Sequence, residues 1–345
     1  MRADGVTGDA EGVDRLDDVV RERLLEVRRG PRTRGALREL GLGEADIRRL
    51  LRNGHLQHHH GTYLDAAVEE ELARIACAHA AYPGSVVSHF SAARLAGLQT
   101  WTDSRRPASP PQQAVWLTRP PVAKRNQRRQ DIVVRRAGLT TADLSRLHGL
   151  PITSVARTVV DLARELSLFE AIVTVDHALR FGTTTDELRT VLDRQHRWPG
   201  IARARTAIDF ADPGAESALE SIARVVFAAA GLPAPVLQVQ FFDGYAWMLE
   251  RVDFWWPDFR TVAEADGLAK YEADSAEERR RLMRRSHRRD QRLGDRGIEL
   301  VHFGWEDAVD PRSDLVARLR AAFRRGQTRS GEPPTWRTTP TQDAA

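Results

Sequence analysis

The sequence predicts a multidomain α+β protein, and three observations carry that prediction. The chain has 345 residues, its N-terminal helical periodicity comes in short broken pieces, and its last third alternates strands with helices. At roughly 100 to 150 residues per domain, that length makes two to three domains. Hydrophobic residues are 41% and charged residues 29%, with a mean hydropathy of −0.45, the composition of a soluble globular protein with real cores. The most apolar stretch, Val225 to Leu237, contains Gly231, Pro233 and Pro235 and is shorter than the roughly 20 residues a membrane span needs. The first residues have no apolar run, and a lone Cys77 cannot form an intramolecular disulfide, so a cytoplasmic protein is expected, with no membrane partner.

The net charge of +4 is small for this length, so the position of the charges says more than their sum. Lys124 and Lys270 are the only lysines, and arginine carries the rest of the basic load. A retained lysine can give up its proton where arginine cannot.

Residues 14–65 read as a winged helix-turn-helix. Val13, Leu16, Val20, Leu24 and Leu25 fall at helical spacing, and Gly30 and Pro31 break that helix. Thr33 caps a second short helix from Arg34 to Leu40, and Gly41-Leu-Gly43 turns the chain into a third, whose buried face is Ile47, Leu50 and Leu51. A polar hairpin from Leu56 to Leu64 completes the plan. Arg48, Arg49 and Arg52 on the third helix could meet phosphates or base edges, with His58 to Tyr63 as the wing; an ordinary solvated face is the alternative. His55 and His58-His-His60 do not suit a metal, because consecutive hairpin histidines cannot all face one ion.

Residues 66–200 read as a mixed α/β domain. Helices are expected over Ala67 to Ala81 and Ser91 to Ala96, followed by a Pro-rich loop from Arg105 to Gln113. Strands Ala114 to Thr118 and Asp131 to Arg135 flank a basic loop, Lys124 to Arg129. Three helices follow, Val155 to Arg164, Leu168 to Arg180 and Thr185 to Arg194, and nothing here has the spacing of a catalytic set.

Residues 213–325 read as a third domain. A helix from Ala215 to Ala230 is followed by a hairpin, Val236 to Phe242 and Tyr245 to Phe254, across Asp243-Gly244. Then come a strand Thr261 to Asp266, a basic helix Ala276 to Arg296, a strand Ile298 to Phe303 and a helix Pro311 to Arg325. The Thr/Pro/Gly-rich tail 326–345 is expected to be disordered. Glu264 and Asp266 are two apart and so share a strand face, and a paired strand can bring Asp253 to the same edge. Converging carboxylates suit a hard cation such as Mg2+, which can polarise a phosphodiester and activate water, with Lys270 near enough to stabilise the developing charge. The arginines of the basic helix, Arg284 and Arg288 among them, recur at three and four residues, which fits either a solvated face or nucleic-acid contact. Trp255, Trp256 and Trp305 are expected in the core rather than stacked on bases.

This last segment resembles the PD-(D/E)xK nuclease superfamily and, more narrowly, its Vsr-like branch. The resemblance is carried by Ser217-Ala-Leu-Glu-Ser221, Arg251-Val-Asp-Phe-Trp-Trp-Pro257, Val262-Ala-Glu-Ala-Asp-Gly267, Lys270-Tyr271, Arg289-Asp290, Leu293, Gly297 and His302-Phe-Gly-Trp305. It implies a restriction-endonuclease-like fold, with Glu220 as the helix acid, Asp253 and Glu264 as ligands of Mg2+, and Asp266 as an accessory acid. One departure stands out: the superfamily's lysine sits two residues after the second acid, where this chain has Asp266. The inherited fold could therefore have kept its acids and lost turnover.

Thr33 to Leu64 resembles the N-terminal winged helix of AbiEi-type antitoxins of type IV toxin–antitoxin systems. The middle segment resembles the domain that follows it there, through Ser88-His-Phe-Ser-Ala-Ala-Arg-Leu-Ala-Gly-Leu98 and Pro151-Ile-Thr-Ser-Val-Ala-Arg-Thr-Val-Val-Asp161. Together the resemblances imply a DNA-binding, antitoxin-like or defence-associated regulator carrying an endonuclease-like domain, with a nucleotidyltransferase-like toxin as partner. The alternatives are an active Mg-dependent DNA endonuclease targeted by its N-terminal domains, and a toxin-neutralising interaction protein that cuts nothing.

Overall fold

The computed structural model describes residues 18–105, 110–122, 127–128, 131–266 and 276–338, which form thirteen α-helices and fourteen strands in a mixed α+β protein. The chain divides into two compact units, one of residues 1–87, 114–138 and 148–151, the other of 88–113, 139–147 and 152–345.

In the first unit, α1 (Asp18–Arg28) buries Val20, Leu24 and Val27, while Leu25, one residue round the helix, is 52% exposed. After β1 (Arg32–Thr33), the Thr33 hydroxyl accepts the Ala36 amide at 3.2 Å and starts α2 (Arg34–Glu39). Helix α3 (Glu44–Arg52) buries Ile47 and Leu50 in the same core. Strands β2 (Leu56–His59) and β3 (Thr62–Asp65) form a hairpin through His60 and Gly61, both at positive φ (52° and 80°), as a two-residue type I′ turn requires. The hairpin is less polar than expected: β3 is the middle strand of a sheet ordered β1-β3-β2 and is buried along its length. Helix α4 (Glu70–Ala81) starts later than expected because the Glu69 carboxylate caps it, accepting the amides of Glu71 and Leu72 at 3.0 and 2.8 Å. Strand β4 (Val86–Val87) ends this stretch.

The chain then forms α5 (His89–Leu95) in the second unit and returns to the first for β5 (Val115–Arg119), β6 (Gln127–Arg128) and β7 (Ile132–Arg136). Strand β5 pairs in parallel with β7, and their unbroken apolar runs are buried as parallel strands usually are. Apart from β6, the basic loop Lys124 to Arg129 lies outside the described residues.

Strands β8 (Leu144–Leu147) and β9 (Leu150–Thr153), not foreseen in the sequence, precede α6 (Val155–Glu165), α7 (Leu168–Arg180) and α8 (Thr185–Arg194). A further unforeseen helix, α9 (Ile201–Phe210), leads to α10 (Ala218–Ala229). Then follow β10 (Val236–Phe241), β11 (Val252–Trp256), β12 (Thr261–Ala265), α11 (Ala276–Gly294), β13 (Glu299–Phe303), α12 (Trp305–Val309), α13 (Leu315–Gln327) and β14 (Trp336–Thr338). These five strands form one sheet ordered β13-β12-β11-β10-β14. Only β12 and β13 are parallel within it, and α11 is the crossover that such a pair needs.

One face of this sheet packs Phe254, Trp256, Ala263, Val301 and Phe303 against α10 and α13, and Ile172 and Val173 of α7 belong to the same core. Phe227 of α10 meets Phe254, Trp256 and Phe303 edge-on at 5.3, 5.4 and 6.0 Å. The other face packs Trp255, Val262 and Ile298 against Leu293 of α11. Trp255 and Trp256 are each 1% exposed, and Trp305 stacks on Trp101 at 5.9 Å, so core packing describes these residues.

Two expectations need correction. The strand foreseen from Tyr245 begins only at Val252, because Asp243 Oδ1 accepts the amides of Tyr245 and Ala246 and opens a wider loop that exposes Tyr245 and Leu249. The tail foreseen as disordered from Gly326 is structured through Thr338: α13 runs to Gln327, and β14 pairs with β10. Gly326 lies so close to the Phe259 carbonyl that a Cβ would meet its oxygen at 1.8 Å, so packing sets this glycine rather than chain flexibility. Residues 339–345 are outside the described residues.

Candidate functional site

The acids of the last segment meet because of strand register. Antiparallel pairing aligns Phe254 with Ala263 and Trp255 with Val262, and one further step sets Asp253 opposite Glu264. Parallel pairing sets Glu264 beside His302. Asp253, Glu264 and His302 therefore form a row across three strands, at the edge of the face that α11 covers. The Asp253 Oδ2 accepts the Ala265 amide at 2.8 Å, which ties it to the neighbouring strand.

Glu220 reaches the same place from the first turn of α10. Its carboxylate accepts the Ser217 hydroxyl at 2.7 Å, the Glu216 amide at 2.9 Å and the Gln238 amide nitrogen at 3.0 Å. Burial, and then the neighbouring Asp253 charge, push its pKa up to about 7, against 4.5 for an exposed glutamate. Gln238 was not foreseen: it sits inside β10 at φ 52°, a left-handed conformation that interrupts the strand's alternation and turns the side chain to Glu220. Its sequence surroundings give no hint of this.

Helix α11 supplies a cation, Arg289. Arg289 Nη2 lies 3.2 Å from Glu264 Oε2 and its Nε lies 3.5 Å from Asp290, with the side chain 12% exposed. Burial works against that charge, but Glu264, Asp290 and Asp253 outweigh it and hold the guanidinium above its ordinary value. Asp266 lies 3.1 Å from His302 Nδ1, while His302 Nε2 lies 3.2 Å from Asp290. Arg289, Asp290 and His302 all belong to the motif pattern, although the sequence suggested no role for them. Lys270 lies outside the described residues.

Carboxylates of two facing residues are the donor type a hard divalent cation takes. Among the described residues no group of three or more His, Cys, Asp or Glu side chains is gathered as a metal cage. The outward side of α11 is basic: Arg281, Arg284, Arg285, Arg288 and Arg292 line an open groove of about 670 Å³. Glu250 draws Arg285 and Arg292 to 3.5 and 3.2 Å, and Arg284 and Arg288 are exposed.

On α3 of the first unit, Arg48 and Arg52 are exposed one turn apart, and Arg49 leans toward Asp46 at 3.7 Å. The neighbouring Glu44 holds both Arg34 and Arg38 of α2. In the β2–β3 hairpin, His60 Nδ1 lies 3.3 Å from Asp131 with its side chain 11% exposed. His59 Nε2 bonds Gln57 at 3.1 Å, and His58 packs on Tyr63 at 4.6 Å, so each of these three histidines has a different neighbour.

The motif Pro151 to Asp161 serves a buried ion network. Arg157, 2% exposed, lies 3.2 Å from Asp143 and 2.7 Å from Asp161, four residues along α6. Arg194 reaches Asp143 at 2.7 Å and Arg164 reaches Asp161 at 3.2 Å. The Trp198 ring covers both Arg157 and Arg164, at 5.1 and 4.9 Å. Gly200 closes the cluster at φ 80°, so near the Arg164 carbonyl that a Cβ would meet its oxygen at 2.2 Å. All of these groups are taken up with one another, which is the arrangement of a structural element.

Comparison with known proteins places this network within a family pattern. Residues 85–210 match the family model described as the AbiEi antitoxin C-terminal domain. Two curated proteins of Mycobacterium tuberculosis, uncharacterized protein MT2308 of strain CDC 1551 / Oshkosh and uncharacterized protein Rv2248 of strain ATCC 25618 / H37Rv, are each 36% identical over 179 residues. The matched stretch is 52% of this chain and 64% of the length of those relatives. Among the described residues no helix is long and apolar enough to cross a membrane. The middle of the chain thus carries an AbiEi antitoxin C-terminal domain pattern.

Proposed function

We propose that the protein is a cytoplasmic DNA-binding regulator of the antitoxin type, acting with a nucleotidyltransferase-like toxin as its cognate partner. The observation that carries this reading is the family match over residues 85–210, preceded in the chain by a three-helix segment whose α3 exposes Arg48 and Arg52. Arginine suits such a face because its planar fork can bind guanine or phosphate through two nitrogens. Retention of DNA from the protein's own promoter on a gel, across a salt series, tests it. Wild type should bind with strong salt dependence, and Arg48→Ala with Arg52→Ala should lower the slope by about two, one per lost phosphate contact. Failure to retain any DNA at low salt would remove the DNA-binding part, and failure to relieve a neighbouring toxin on co-expression would remove the antitoxin part.

A second reading is favoured by the pairing of Asp253 with Glu264 beside a buried Glu220: a DNA endonuclease domain, with the first two segments as its targeting part. The facing carboxylates support Asp253 and Glu264 as the residues that would hold Mg2+, which supplies a Lewis acid for the phosphodiester and a more acidic water when bound. Asp266 then acts indirectly, through His302, and Arg284 and Arg288 offer phosphate contacts along α11. Incubation with supercoiled DNA and Mg2+, Mn2+ or EDTA decides this reading. Metal-dependent nicking that Asp253→Asn and Glu264→Gln both abolish supports it, and the absence of nicking in every condition leaves a binding protein.

A further inference from the structure

We propose that the loop between β10 and β11, with the arginine face of α11 beside it, binds single-stranded DNA: an unpaired base stacks on Tyr245, and phosphates of the same strand meet Arg284 and Arg288. The inference rests on the DNA-binding reading above and deepens it, by giving the second unit a contact surface of its own.

The loop is pinned from within, yet it holds two large apolar side chains out of the fold. Asp243 Oδ1 accepts the amides of Tyr245 and Ala246 at 3.0 and 2.8 Å, and the Asp243 amide donates to the Ala246 carbonyl at 2.8 Å. Met248 turns inward, 4% exposed, and its amide donates to the Phe241 carbonyl at 2.8 Å. Trp247 meets the Phe242 ring at 5.6 Å and the Arg337 guanidinium at 4.2 Å. Between these anchors Tyr245 is 96% exposed and Leu249 85%. A single exposed apolar residue is ordinary, but two on one short, pinned loop are surface offered to something outside the fold.

The loop's neighbours say what that is. The Asp243 carbonyl accepts Arg296 Nη2 at 2.7 Å, and Glu250, next to Leu249, lies 3.5 Å from Arg285 and 3.2 Å from Arg292. Both ends of the loop are thus fastened along α11, and Arg285 and Arg292 belong to the groove that Arg284 and Arg288 also line. Helix α11 carries eight arginines against three acids, so the complement of this face is a polyanion. The complement of an exposed ring is a flat apolar face. A nucleic-acid strand supplies both, with phosphates for the guanidinium forks and a base for the ring. In a duplex the base faces cover one another, so the ring finds its partner on an unpaired base.

The test uses the full chain, as wild type and in an Arg48→Ala, Arg52→Ala background that weakens the α3 contacts. Anisotropy of a labelled single strand of mixed sequence, and of its duplex, is read in EDTA across a salt series. In that background Tyr245→Ala should weaken single-strand binding about tenfold, the usual scale for one lost base–aromatic stack, with the salt slope kept. Tyr245→Phe should recover most of that loss, because the ring face rather than the hydroxyl meets the base, and Leu249→Ala should lose less than Tyr245→Ala. Arg284→Ala with Arg288→Ala should lower the slope by about 1.4, the value for two phosphate contacts on a single strand. Wild type that holds duplex and no single strand overturns the inference and leaves the DNA-binding reading standing, as does Tyr245→Ala that holds single strand as tightly as its parent. Phenylalanine that fails to rescue also overturns it, and so does a dimer in sedimentation that Tyr245→Ala dissociates, since a second copy then covers the loop. Wild type that holds neither form of DNA ends both readings.

Discussion

Two buried clusters of charge in this molecule are built to opposite ends. Around α6, Arg157, Arg164 and Arg194 face Asp143 and Asp161, so cations match or exceed acids, and Trp198 and Gly200 close the cluster. Along the acid row, Arg289 faces Glu264, Asp290 and the nearby Asp253, while Glu220 lies near enough to Asp253 to feel its charge. Burial raises the pKa of both Asp143 and Glu220. For Asp143 the Thr140 amide, the Arg194 hydrogen bond and Arg157 reverse the sign and leave it lowered. For Glu220 the next largest influence is Asp253, and the pKa stays up at about 7. Both carboxylates are nearly hidden from solvent, and the opposite outcomes separate a cluster whose cations hold its acids ionised from one in which a buried acid is pushed toward its neutral form.

The comparison is easiest to break at Arg157. Arg157→Ala leaves Asp143 and Asp161 buried without their shared cation and should cost about 3 to 5 kcal/mol, read by chemical denaturation; a loss under 1 kcal/mol would mean the cluster is not holding the fold. Glu220→Gln should act the other way. The native pKa of about 7 lies above the ordinary 4.5, so this group's stabilising contribution is full below pH 4.5 and is lost as pH rises through 7. The variant should match wild type at pH 4.5 and exceed it by up to about 3 kcal/mol at pH 8; equal stability at both pH values would place Glu220 with the balanced cluster.

Asp143 supplies the mirror test. Its pKa is lowered, so its contribution is present above the ordinary 3.8 and lost as pH falls through the native value. Asp143→Asn should cost roughly 2 kcal/mol at pH 7, and the gap to wild type should narrow on acidification in urea titrations. The smallest effect belongs to Trp198→Leu, which keeps an apolar side chain but removes the ring face from Arg157 and Arg164. A loss of about 1 kcal/mol is expected in the same titration, and a gain would show that the ring only fills space.

The helices were legible because their signals are local. Thr33, Ser154, Thr184 and Ser217 each cap a helix with the side chain, and each stands where the sequence changes from turn to periodic apolar residues. Arg157 and Asp161 are four apart, so any helix brings them together. The strands β8 and β9 were missed because four residues are too short a run to show a period, and the helix α9 because alanines make up half of its apolar residues and mark its buried side only weakly. The hairpin strand drawn from Tyr245 was too long because Asp243-Gly244 signals a turn without specifying the loop's width.

The candidate site divides in the same way. Sequence alone determined the helix of Glu220, the strands of Asp253 and Glu264, and the basic character of α11, since residue type and spacing set each of these. Tertiary structure alone decided that Asp253 faces Glu264, that Asp266 turns to His302, that Gln238 bends out of its strand toward Glu220, and that Arg289 enters the row. Strand register and the rotation of a packed helix depend on contacts between residues distant in the chain. A one-residue slip in β12 would send Glu264 to the opposite face, and the packing of Val262 in one core and Ala263 in the other prevents it.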